Sequence, residues 1–219
     1  MKGNRVPLRK LVWMCLFAAA FAFVESSVVV YLRALYYPEG FSFPLKVIAD
    51  SHVVVEVCRE AATLLMLASV GIIAGRTAWQ RFGYFCIAFG VWDIFYYVWL
   101  KLILGWPASF GEWDILFLIP LPWIGPVASA VAIALLLVVC GFDIVVRTSL
   151  EKYFKPQIVS WMCALAGTAV ILYSFMHDTD ATLRGGTPLP YHYDLLAIAV
   201  MLYVAGYVLA CRQPRKVNR

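Results

Sequence analysis

The chain has 219 residues, of which 63% are hydrophobic and 14% charged, with a mean hydropathy of +0.81. A soluble domain carries roughly 25% charged residues, so the composition excludes an ordinary water-soluble fold. The net charge of +5 is spread over short stretches between apolar segments, which excludes a nucleic-acid-binding face, and the six cysteines form no Cys-x-x-Cys pair, which leaves neither a disulfide framework nor a zinc ribbon.

Six apolar segments are each near the roughly 20 residues that cross a bilayer. They run about 11–36, 52–74, 82–104, 125–147, 157–177 and 191–211. The connections are short, so we expect residues 1–219 to form one all-α domain. The expected architecture is a polytopic, six-helix transmembrane bundle.

The first segment holds Glu25 mid-span, with Arg33 and Tyr36 on the same helical face. Ala20-Phe21-Ala22 imitates a signal-peptide cleavage site, but the apolar run continues past Val30, so the segment reads as a span. The second segment carries His52, Glu56, Arg59, Glu60 and Thr63. On a helix of 3.6 residues per turn these positions form one polar stripe. The third carries Asp93, Tyr96, Tyr97 and Lys101, again on one face.

Residues 105–124 differ from the rest, with Trp106, Pro107, Trp113, Pro120, Pro122 and Trp123. Ser109-Phe-Gly-Glu112 matches a capping box, and Pro120 would stop a helix begun there. The spacing predicts one short interfacial or re-entrant helix anchored by tryptophans. In the second half of the chain His177 ends the fifth segment and His192 starts the sixth, each with aspartates nearby.

Thirteen of the 18 basic residues fall at the two ends of the chain and in the second-to-third and fourth-to-fifth connections. By the positive-inside rule that side is cytoplasmic, which puts both termini inside a cell (inner) membrane. Stretches 37–51, 105–124 and 178–190 then face outward.

A charge near mid-membrane costs about 2.5–3.5 kcal/mol on insertion scales, so ionisable residues there usually face a bundle interior or a watery cavity. The simplest geometry brings the three polar faces together, with Glu25, Glu56, Glu60 and Asp93 as acid/base groups. Arg33, Arg59, Tyr97 and Lys101 would bind substrate. His52, Glu56, His177 and His192 share the outer boundary and suit a divalent transition metal. The leading expectation is a membrane enzyme, metal-assisted, acting on a lipid-soluble or periplasmic small molecule. A small proton- or cation-coupled transporter or channel is the rival. The absence of an internal repeat and an inner half poor in polar residues count against it. A structural or assembly subunit, whose charges only fix helix partners, is the third reading.

Overall fold

The computed structural model describes residues 6–45 and 50–212. Lys2, Arg5, Arg215, Lys216 and Arg219, which contribute to the charge asymmetry, and residues 46–49 of the first expected outward stretch, lie outside the described residues.

The chain is 72% helical, with six helices long and apolar enough to cross a membrane. They are α1 (Leu8–Tyr36), α2 (Asp50–Ala74), α3 (Ala78–Leu104), α4 (Val127–Ser149), α5 (Ile158–Met176) and α7 (Tyr193–Cys211). A five-residue helix, α6 (Thr179–Leu183), lies in the α5–α7 connection. Large apolar side chains such as Ile73 and Ile158 stand almost fully exposed on the outside of the bundle, compatible with a multi-pass membrane protein.

Helix ends follow local chemistry. The Thr77 side chain accepts the Gln80 N–H at 3.2 Å and starts α3 four residues before its apolar run. Gly105 ends α3 in the left-handed region (φ 69°), donating its N–H to the Lys101 carbonyl. The Lys101 ammonium donates to the Gly105 and Pro107 carbonyls at 3.0 and 2.7 Å. It thereby satisfies backbone at the helix end.

The expected short helix in 105–124 is corrected. Strands β1 (Trp113–Phe117) and β2 (Trp123–Pro126) form an antiparallel hairpin, pairing Trp113 with Pro126, Asp114 with Gly125 and Ile115 with Ile124. The capping-box residues serve a turn instead. Glu112 accepts the Ala108 N–H at 2.8 Å, and Ser109 accepts the Glu112 N–H through its carbonyl. Two N–H groups at the start of α4, those of Val127 and Ala128, donate to the carbonyls of Glu112 and Phe110. The segment thus supplies the partners that a helix start lacks.

The hairpin dips between the helices. Phe117 stacks on Phe89 and packs on Trp92, both well inside α3, and the Leu118 N–H reaches Glu60 on α2. Irregular backbone at such depth is tolerated only where protein or a cavity surrounds it.

α1, α2 and α4 each pack on α3, and α5 packs on α7. Close approach of α3 and α4 requires glycine. A Cβ at Gly90 would lie 2.5 Å from the Ala134 carbonyl oxygen, and one at Gly141 would lie 2.7 Å from the Gly83 carbonyl oxygen. A second buried apolar cluster gathers around Phe175 and Tyr191 beside the hairpin, and the main one runs from Trp92 and Phe117 to the opposite end of the bundle, where Leu11, Met14 and Ala18 meet Leu67, Tyr84 and Ile87. That end also holds the start of α1 and the end of α2, tied by Lys10 donating to the Ala74 carbonyl at 2.8 Å.

Candidate functional site

The polar faces of α1, α2 and α3 meet above that core, under the hairpin. Glu25, Glu60 and Asp93 each lie ten or eleven residues from the hairpin-side end of their own helix, at a common depth of roughly 16 Å at 1.5 Å per residue.

α1 and α2 are joined here by side-chain bonds. Arg59 ion-pairs with Glu25, and its Nη2 donates to Glu56 Oε2 at 2.7 Å. The Thr63 hydroxyl donates to Glu25 Oε2 at 3.2 Å. One guanidinium thus sits between two carboxylates from two helices. Glu60 is used differently: its Oε2 accepts the Leu118 N–H at 2.8 Å and holds the hairpin turn.

Arg33, one turn from the end of α1, donates to Asp114 Oδ1 on β1 at 3.2 Å. Its guanidinium carbon lies 3.7 Å from the Trp106 ring centroid and 4.5 Å from that of Phe41. The residue therefore clamps the 37–45 and 105–107 loops and β1 to α1. Burial pushes the Asp114 carboxyl up to about 6, against the opposing pull of Arg33 and the Ile115 N–H.

These side chains enclose a cavity of about 150 Å³. Glu25, Glu56, Glu60, Asp93 and Asp114 line it, with Arg33, Arg59, Tyr96 and Tyr97. Five acids face two guanidinium groups. If all were ionised, the negative excess would have to be met by protons or by a cation. Asp93 stands apart from the other acids. It is only partly buried although it lies deep, so its exposure is to the cavity, and among the described residues it takes part in no hydrogen bond or ion pair. Trp92 Nε1 and Asp114 Oδ2 belong to cavity-lining side chains and are buried without a hydrogen-bond partner among the described residues.

Of the residues singled out in the sequence, Glu25, Arg33, Glu56, Arg59, Glu60, Asp93 and Tyr97 are brought to this cavity. Lys101 is not among its lining, because the end of α3 claims its ammonium. His52 is exposed and bonds the Tyr36 hydroxyl at the cavity rim. His177 and His192 pack against each other, ring centroids 5.3 Å apart, on the α5–α7 side. Among the described residues no group of three or more His, Cys, Asp or Glu side chains is placed to hold a metal ion. His52 and Glu56 therefore do not meet His177 and His192 in the metal set expected from the sequence. Two elements of the site were not expected from the sequence: Asp114 and the hairpin backbone. A single acid among the apolar residues of Trp113-Asp114-Ile115-Leu116-Phe117 was the available signal, since a buried carboxylate needs a base.

Compared with protein-family models, curated proteins and solved structures, the chain matches none.

Proposed function

We propose that the chain is a membrane-embedded enzyme that carries out acid–base chemistry on a lipid-soluble or small molecule entering from the outer face. In this reading the protein sits in the cell (inner) membrane with both termini cytoplasmic, and the hairpin end faces outward. One observation carries the proposal. Four of the five cavity carboxylates are held by Arg59, Arg33 or the hairpin backbone, whereas Asp93 opens on the cavity with no partner among the described residues. A carboxyl left free in an otherwise satisfied polar pocket is placed to give a proton to a bound molecule or take one from it. Arg59 fixes Glu25 and Glu56, while Tyr96 and Tyr97 flank Asp93 along α3. The apolar core beneath the cavity favours a one-sided site over a conducting path, which has to reach both sides.

The test compares lipid and small-molecule extracts of cells producing wild type or Asp93→Asn at equal membrane abundance. A species formed or consumed by wild type and unchanged by the variant is expected. Identical extracts, together with Asp93-dependent solute flux in proteoliposomes, would replace the enzyme by a transporter.

A further inference from the structure

A second, larger recess lies beside the polar cavity. It has a volume of about 810 Å³, within the range of small-molecule pockets. Val30, Ala34, Phe41, Phe43, Leu104 and Trp106 contribute its apolar lining. The two spaces adjoin at Arg33, Tyr37 and Phe41, which line both, and there Arg33 lies against Phe41 and Trp106. An occupant spanning both spaces would have an apolar part in the recess and a small polar part in the 150 Å³ cavity.

The charge of the cavity selects among polar parts. Five carboxyl groups against two guanidinium groups, both already ion-paired with carboxylates, leave no free cation among the described residues lining the cavity for an anionic head. A phosphate or carboxylate would add negative charge to a site already in excess. A hydroxyl or amine instead donates to Asp93, and a hydroxyl also accepts from the unpartnered Trp92 indole N–H.

We infer that the site takes a single-chain amphiphile whose head is a hydrogen-bond donor without negative charge, a hydroxyl or an amine, with the chain lying in the Phe41–Phe43–Trp106 recess. The inference rests on the enzyme reading for what happens to the head. Binding itself is tested separately.

Three photoreactive probes are compared in lipid nanodiscs: dodecanol, dodecylamine and dodecyl phosphate, each with a diazirine in the chain and cross-links mapped by mass spectrometry. The alcohol and the amine should label recess residues saturably. Unlabelled dodecanol should compete for that labelling, and unlabelled dodecyl phosphate should not. The phosphate should label at least tenfold less. Ala34→Trp and Gly111→Trp, at two positions lining the recess, should each abolish labelling while leaving the protein folded, because Ala34 is exposed and a Cβ at Gly111 would meet only the Ser109 hydroxyl, at 3.7 Å. Asp93→Asn combined with Glu60→Gln should narrow the discrimination against phosphate. Equal labelling by the phosphate, or labelling that does not saturate or survives both tryptophan variants, overturns the inference. Saturable, head-selective labelling together with unchanged cell extracts for Asp93→Asn would instead leave the inference standing and sink the enzyme reading.

Discussion

The Arg33–Asp114 pair gives an asymmetric prediction. Its atoms are 3.2 Å apart and the two side chains are 9% and 4% exposed. Removing one partner of a buried pair costs about 3–5 kcal/mol, because the other charge is left without compensation. The two partners differ in how they respond. A guanidinium stays protonated, so Asp114→Asn strands a buried cation that only Trp106 and Phe41 can still oppose, at about 0.5–2 kcal/mol each. Arg33→Met strands a carboxyl, which can neutralise itself by taking a proton. We therefore expect Asp114→Asn to cost about 3–5 kcal/mol at neutral pH. Arg33→Met should cost less, roughly 2–3 kcal/mol from lost stacking and partial desolvation, and less still at pH 5. In the Arg33→Met background, Asp114→Asn should cost under about 1 kcal/mol. At about 2–4 °C per kcal/mol for a chain of this size, Asp114→Asn should unfold roughly 6–20 °C earlier. Thermal unfolding of the four proteins in nanodiscs, followed by tryptophan fluorescence, measures the cycle. Additive losses, or a cost below about 1 kcal/mol for Asp114→Asn, would refute the clamp.

Gly90→Ala should prevent stable packing of α3 on α4, because the new methyl would lie 2.5 Å from the Ala134 carbonyl oxygen, whereas Gly111→Ala, whose methyl would meet only the Ser109 hydroxyl at an ordinary 3.7 Å, should unfold like wild type. For orientation, a cysteine at Thr187 should react with an impermeant reagent applied from outside and one at Ala78 should not; the reverse pattern would invert the proposed topology.

The helices were legible because length and apolarity set them, and the meeting of Glu25, Arg59 and Asp93 followed from the 3.6-residue period of three polar faces. The hairpin was hidden because Ser109 and Glu112 suit a turn as well as a helix start. What decides between them is tertiary: the Val127 and Ala128 N–H groups and Glu60 all take partners from the 110–118 backbone. Asp114 escaped notice for the same reason, since its partner is 81 residues away and its role depends on strand pairing. Lys101 shares a helical face with Asp93, but periodicity does not show that α3 ends at Gly105 and uses the ammonium there. His52, His177 and His192 share the hairpin end of the bundle; His177 and His192 pack together there, but sharing an end does not gather all three into one ligand set.

A polar cavity that opens at the hairpin end should be reached from that end at Val29, which lies on its wall. A Val29→Cys variant, with the native cysteines replaced, is treated with a charged, membrane-impermeant thiol reagent from either side of sealed vesicles, with Ala88→Cys in the apolar core as the unreactive control. The account predicts that Val29→Cys is modified from the hairpin side alone and that an excess of dodecanol protects it. Modification from the side bearing the termini would reveal a through-path and contradict a one-sided site. Lack of modification from both sides would make the cluster a sealed structural network.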